Sequence, residues 1–250
     1  MKSTRAWDNR RGEHCSSVNV GDGVPKEKNK EFTKMESYKR EFIEFLQNAG
    51  VLKFGDFTAK SGRKIPYFIN AGEIKTGENI AKLGEFYAKA YLDKVGNKQT
   101  ALYGPAYKGI SIAVATSVAL AKEGLNLPFF FNRKEVKDHG EGGMFVGYKP
   151  KAGDEIVIVE DVITAGTAIR ETMEIMKGVE GAKVVACFVM VDRKEKGQGE
   201  KGAMVEIEEE FGFPVYSVVD VYDIIEYLEE DEANAENVAR IKKYREVYGA

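Results

Sequence analysis

The sequence predicts an α/β fold, with a mainly parallel sheet flanked by helices. Two observations carry this. Short apolar runs rich in β-branched residues alternate along the chain with segments of helical spacing, and that alternation builds parallel strands covered on both faces. Two of the runs also lead through glycine-bearing turns straight into a helix, at 104–109 and at 164–166. In such sheets ligands sit at the carboxyl ends of strands, so the loops that follow strands are the first places to look for a site.

Residues 1–34 are polar, rich in Gly, Asn and Lys and without periodicity, which predicts a disordered extension. The folded unit is expected to open near Met35 and to run from 35 to 250 as one domain, because no second core and no internal linker is visible. Tyr38, Phe42, Phe45, Leu46 and Ala49 recur at helical spacing over 36–49, and Gly50 follows as a C-cap. Residues 54–70 mix turn formers with short apolar pieces and read as a loop or hairpin that closes with a strand at 67–69. A helix follows over 77–94, with Ile80, Leu83, Tyr87, Ala90 and Tyr91 on one side. Strands are expected at 101–103, 129–132, 156–160, 184–191 and 215–219. Helices are expected at 110–121, from 167 to near 177, at 203–211 and over 221–248, the last with an acidic break at 229–232. The segments 133–143 and 192–202 read as loops.

Composition narrows the function. The chain has 37 Lys and Arg against 40 Asp and Glu, a net charge of −3, so bulk charge gives no reason to expect nucleic acid or a membrane surface as partner. An anionic ligand must be gripped locally. The two cysteines, Cys15 and Cys187, lack metal-ligand spacing, and Cys187 lies in an apolar strand as a buried structural thiol. This suits a reducing cytoplasm. No run is long and apolar enough for a membrane helix, and the N-terminus lacks the apolar core of a signal peptide.

The most informative stretch is 156–170, Ile-Val-Ile-Val-Glu160-Asp161-Val162-Ile163-Thr164-Ala165-Gly166-Thr167-Ala168-Ile-Arg. A buried strand ends on two carboxylates, and a Thr/Gly/Ala turn then opens a helix. Gly166 lets backbone approach a ligand, Thr164 and Thr167 offer hydroxyls, and the free N–H groups of the helix start favour negative charge. The carboxylates would repel a phosphate but suit sugar hydroxyls or a hydrated Mg²⁺ beside it. A Thr N-cap with an acidic loop explains either threonine alone but not the whole string. The Gly-Lys-Ser/Thr ending of a Walker A loop is missing. The pattern describes a site for a sugar phosphate.

This string resembles the phosphoribosyl diphosphate (PRPP) motif of type I phosphoribosyltransferases, and its wording, EDVITAGTAIRE, is similar to that of orotate phosphoribosyltransferases. The resemblance covers roughly 35–250. It implies a type I phosphoribosyltransferase-like sheet with a small N-terminal hood-like segment, and it puts Glu160 to Ala168 on PRPP. Mg²⁺ is then expected as cofactor, held through PRPP and water near Glu160 and Asp161 with no direct protein ligand.

The segment 133–143 places Arg133, Lys134, Lys137 and His139 within seven residues and then supplies three glycines. Cations draw a polyanion such as diphosphate, and glycines allow movement over it. A solvated surface loop is the plainer explanation of a charge run, but His139 is the only histidine beyond residue 34. The segment resembles the family's catalytic loop, RKxxKDHGxGG. The resemblance implies that these four residues contact the diphosphate, that Lys137 is the main electrostatic catalyst, and that the loop acts across a homodimer interface.

Residues 57–70 put Lys60 in a turn before an aromatic strand, a cation beside stacking surfaces that suits a flat anionic ring. A surface lysine and a core strand would explain it in isolation. The segment resembles the family's FTLKSGxxSPYFxN signature, with Ile65 where that pattern has serine. The match implies that Lys60 meets substrate near the reacting centre, and that Phe68 and Ile69 line the orotate pocket, with Thr164 also at orotate. Tyr103–Lys108 forms a Gly/Pro turn whose N–H groups could bind diphosphate, and the family match puts Tyr107 and Lys108 at PRPP. Arg193 could fork two donors onto a carboxylate, and an arginine in this place reads the orotate carboxylate in the family.

The resemblance thus implies an enzyme of de novo pyrimidine biosynthesis that transfers ribose 5-phosphate from PRPP to N1 of orotate, with Lys137, Asp161 and Lys60 as catalytic residues. A purine phosphoribosyltransferase would share Glu160–Ala168 but has no need of cations at Lys60 and Arg193. A PRPP-sensing regulator that binds nucleic acid would call for a basic face, against the net charge of −3.

Overall fold

A computed structural model describes residues 35–59, 62–137, 143–164, 166–196 and 199–250, apart from the side chains of Val136 and Lys137. Six strands form the main sheet in the order β5-β4-β3-β6-β7-β8. They are β3 (Ala101–Tyr103), β4 (Phe129–Lys137), β5 (Gly143–Gly147), β6 (Glu155–Val159), β7 (Lys183–Asp192) and β8 (Val215–Asp220). All neighbours are parallel except the edge pair β4–β5. The central strands are buried over most of their length, as near-continuous apolar runs such as Ile156-Val-Ile-Val159 require.

Two apolar clusters show that both faces of the sheet are covered. One gathers Phe42, Leu83, Phe86, Tyr87, Ile112, Leu120 and Val159, bringing in α1 (Ser37–Asn48), α2 (Gly77–Lys94) and α3 (Lys108–Lys122). The other gathers Ile158, Ile169, Met176, Cys187 and Ile207, bringing in α4 (Thr167–Met176) and α5 (Ala203–Phe211). Each fully buried Leu, Ile or Phe in these layers contributes about 1.5–3 kcal/mol over an exposed one. Helix α2 starts as its sequence dictates, with the Thr76 hydroxyl accepting from the Asn79 N–H at 3.2 Å. It approaches α3 so closely that a Cβ on Gly84 would lie 2.5 Å from the Ala115 backbone, which is why small residues meet there.

The small N-terminal segment consists of α1 and an antiparallel hairpin, β1 (Leu52–Thr58) with β2 (Lys64–Ile69). The C-terminal helices α6 (Val221–Glu229) and α7 (Ala235–Tyr248) are part of the same assembly. Lys39 pairs with Asp223 at 3.2 Å, and Tyr67 meets Tyr244 edge-on at 6.4 Å.

Several expectations need correction. Of the two readings of 54–70, loop or hairpin, the hairpin is the one found, but its strands are longer than expected, beginning at Leu52 and at Lys64. The segment 133–143, expected as a loop, is strand at both described ends: β4 continues to Lys137 and pairs antiparallel with β5, which opens at Gly143, while 138–142 lie outside the described residues. Lys137 is thereby register partner to Gly143. Helix α3 opens at Lys108, two residues earlier than expected. The C-terminal break is a short 3-10 turn at Glu232–Asn234, capped by the Asp231 side chain.

Candidate active site

Strand order reverses between β3 and β6, since β4 follows β3 on one side and β7 follows β6 on the other. Ligands of open α/β sheets bind at such a point, outside the carboxyl ends of the strands. Two helices begin there, α3 after β3 and α4 after β6, and neither N-terminus is closed by a side-chain cap. Two sets of free backbone N–H groups therefore stand over adjacent strands, which is the arrangement a ligand with two anionic groups requires.

The first turn closes tightly. A Cβ on Gly104 would lie 2.1 Å from the Gly109 carbonyl oxygen. The peptide between Ala106 and Tyr107 is cis. Buried Asn132 fixes this turn: its Oδ1 accepts from the Ala106 N–H at 3.0 Å and from the Tyr103 hydroxyl at 2.9 Å. Tyr107 is left 73% exposed, and the Lys134 ammonium stands 6.0 Å from its ring centroid.

The second turn carries the acids. Glu160 and Asp161 are both buried, one and two residues beyond the end of β6. The Asp161 N–H donates to Glu160 Oε1 at 2.9 Å. The backbone is pinned on both sides, with the Tyr87 hydroxyl donating to the Glu160 carbonyl at 2.7 Å and the Met190 N–H to the Asp161 carbonyl at 2.8 Å. Lys108 reaches across from the start of α3 and sets its ammonium 2.6 Å from Asp161 Oδ2. Burial pushes the Glu160 carboxyl up to about 8; the Asp161 N–H and Lys108 lower it, while the Asp161 charge raises it. Glu160 is thus a carboxyl that holds its proton near neutral pH. Val162 and Ile163 are half-buried, and Thr164, Thr167 and Ala168 are exposed. Gly166 sits in the left-handed region at φ +73°, and a Cβ there would lie 2.7 Å from the Ile207 side chain, so glycine is required to start α4.

A second group of residues gathers at the end of β7. Arg193 follows the strand and lies with its guanidinium carbon 5.2 Å from the Tyr67 ring centroid, which brings it to the β1–β2 hairpin. Phe68, 40% exposed, stacks on Phe57 at 5.5 Å, and Ile69 is half-buried beside it. Arg133 donates to the Phe145 carbonyl at 3.1 Å, tying the two arms of the β4–β5 hairpin together.

The structure thus brings Tyr107, Lys108, Lys134, Glu160 and Asp161 into one cluster, and sets Arg193 against Tyr67, the neighbour of Phe68 in β2. Lys60, Ala165, His139 and the Lys137 side chain lie outside the described residues. Sequence reasoning missed Asn132, Tyr87 and Glu195. Asn132 had a signal, as a lone amide at the end of an apolar strand. Tyr87 was read only as helix core, and Glu195 lay in a stretch read as loop. Among the described residues no cluster of three or more His, Cys, Asp or Glu could hold a metal ion.

The description "phosphoribosyl transferase domain" fits residues 70–218 of the chain, the span that contains both turns. Orotate phosphoribosyltransferases of Photobacterium profundum and Shigella flexneri are each 51% identical to it over 216 residues, 86% of this chain and 100% of theirs. The crystal structure of orotate phosphoribosyltransferase from Francisella tularensis superposes with a TM-score of 0.74 at 39% identity, covering 84% of this chain and 100% of that one. With half its residues shared across the full length of such relatives, and the switch-point turns built as described, this chain belongs to the orotate phosphoribosyltransferase family of phosphoribosyl transferase domain proteins.

Proposed function

We infer that this protein transfers the 5-phosphoribosyl group of PRPP to N1 of orotate, giving orotidine 5′-phosphate and diphosphate in de novo pyrimidine biosynthesis. The observation that carries this reading is the pair of uncapped helix N-termini on adjacent strands with the Glu160–Asp161 pair at the same edge. One N-terminus suits the 5′-phosphate, the other the diphosphate, and the acids suit the ribose hydroxyls between them.

In the reaction the C1–oxygen bond breaks with its electron pair leaving on diphosphate, and orotate N1 forms the new bond to C1 as its N–H proton passes to the departing diphosphate or to water. Charge grows on diphosphate while C1 becomes cationic, so positioning and electrostatics carry the catalysis. Residues Thr164 to Ala168 hold the 5′-phosphate at the start of α4. Glu160, whose carboxyl burial pushes up to about 8, and Asp161 turn their oxygens to the ribose hydroxyls. Tyr107, Lys108, Arg133, Lys134, Lys137 and His139 meet the diphosphate, with Lys137 the main electrostatic catalyst. Lys60, Phe68, Ile69, Thr164 and Arg193 form the orotate side. Mg²⁺ fits the hard-oxygen character of this edge and would be held through PRPP and water near Glu160 and Asp161, neutralising charge on the leaving diphosphate.

A homodimer is the expected assembly, with residues 133–143 acting in the neighbouring site. An apolar surface formed by Ile80, Val114, Ala115 and Val118 on α2 and α3 supports it, because α3 begins at the PRPP turn. Residues 35–250 are expected to be the working domain and 1–34 an extension; the 216 residues shared with the relatives equal 250 − 34. No described helix is long and apolar enough to cross a membrane, and Cys187 is a buried free thiol, in keeping with a cytoplasmic enzyme.

Diphosphate release that needs both orotate and PRPP supports the reading. Release with hypoxanthine or adenine in place of orotate would point to a purine enzyme instead.

A further inference from the structure

Two guanidiniums converge on one carboxylate beside the aromatic strand of the hairpin. Glu195 Oε1 lies 2.7 Å from Arg193 Nη2 and accepts from the Tyr67 hydroxyl at 3.2 Å. Its Oε2 lies 3.5 Å from Arg63 Nη1. Arg63 in turn donates to the Tyr244 hydroxyl at 3.4 Å and stands 4.2 Å over the Tyr248 ring. All three charged side chains are largely shielded from water, at 15% exposure for Glu195, 23% for Arg193 and 30% for Arg63.

The backbone that carries Glu195 is held as firmly as its side chain. Lys194 adopts φ +47°, and its N–H donates to Asp192 Oδ1 at 2.8 Å. Arg245 Nη1 donates to the carbonyls of both Arg193 and Lys194 at 3.1 Å. Glu195 also forms an antiparallel bridge with Gly249 at the end of α7. The hairpin, the end of β7 and the C-terminal helix thus meet at this one carboxylate.

Charge counting shows what the cluster lacks. Two cations and one anion leave one positive charge in excess, and Arg193 Nε is buried without a hydrogen-bond partner among the described residues. A second carboxylate would complete the set. We propose that Glu195 is a positioning residue that holds Arg193 in the orientation needed to read the carboxylate of the acceptor base, and so sets the preference for a carboxylated pyrimidine over an uncharged one. This rests on the orotate reading above and deepens it.

The opposite role makes the opposite prediction. If Glu195 only competed with substrate for Arg193, its removal would tighten orotate binding. A positioning carboxylate, once removed, leaves a long side chain free to wander, and misplacement of a recognition group weakens use of the substrate. The test is steady-state kinetics of full-length wild type, Glu195→Gln and Glu195→Asp with orotate and with uracil as acceptors. For Glu195→Gln, kcat/KM for orotate should fall about 10- to 100-fold with a raised orotate KM, while the PRPP KM stays within about twofold. The orotate-to-uracil ratio of kcat/KM should fall with it, a readout that mere loosening of the fold would not move. Glu195→Asp, which keeps the charge, should lie between wild type and Glu195→Gln, and it decides alone if Glu195→Gln fails to fold. An unchanged or lowered orotate KM together with an unchanged ratio overturns the positioning role. Wild type that uses no orotate at all overturns the underlying reading instead.

Discussion

The Lys108 ammonium lies 2.6 Å from Asp161 Oδ2, so a cation at the start of one switch-point helix neutralises a carboxylate at the end of the adjacent strand. Lys108 is the more exposed partner and Asp161 the buried one. The pair links the two switch-point turns, tying the start of α3 to the end of β6.

Asp161→Asn should keep the fold, because the backbone contact to Met190 and the size of the side chain remain. Its turnover should fall by about 10²–10³-fold, the usual effect of removing one charged group that stabilises a transition state. Steady-state kinetics near wild type would remove Asp161 from the ribose and Mg²⁺ role.

Glu160 gives a pH signature. Its folded value of about 8 stands above the ordinary 4.5, so between those values the folded protein binds a proton that the unfolded chain has released. The contribution to stability is complete below about pH 4.5 and is lost as the pH rises through about 8. Denaturant unfolding of the metal-free protein should show wild type losing stability against Glu160→Gln between about pH 5 and about pH 9, by an amount on the order of a few kcal/mol. A constant difference between the two proteins would mean that Glu160 titrates normally.

Lys137 ends β4 as the register partner of Gly143. If, as proposed, its charge acts on the diphosphate as that group departs, Lys137→Ala should lower turnover by about 10²–10³-fold while the PRPP KM changes only a few-fold. A turnover number equal to wild type would take the catalytic role from this lysine.

Removal of residues 1–34 should leave kcat, both KM values and the thermal midpoint nearly unchanged, the last within about 2 °C. Calorimetry and kinetics on the shortened protein check this. A large loss in either would make the extension part of the working enzyme.

Much of the architecture was legible because the central strands are buried on both faces. Ile156–Val159 and the Val184–Val191 run can only be interior strands, and the α2 boundaries match those expected from its periodicity. The edge pair β4–β5 was not legible. Arg133-Lys-Glu-Val-Lys137 is a run dominated by charged residues near the sheet edge, so no alternating apolar pattern marks it as strand. The turn after β6 was legible as a strand-to-helix turn through residue type, since carboxylates at a strand end followed by hydroxyl and glycine residues mark it locally. The Glu195 cluster was not, because Arg63, Glu195 and Tyr244 are far apart in sequence and each alone resembles an ordinary surface residue.

The central claim is the pairing of PRPP with orotate. Phosphorus-31 NMR of the purified protein with PRPP, orotate and Mg²⁺ tests it most directly. The PRPP signals should be replaced by equal amounts of diphosphate and a single nucleoside 5′-monophosphate, and omitting orotate or chelating Mg²⁺ should prevent this. PRPP left intact with orotate but consumed with adenine or hypoxanthine would contradict it.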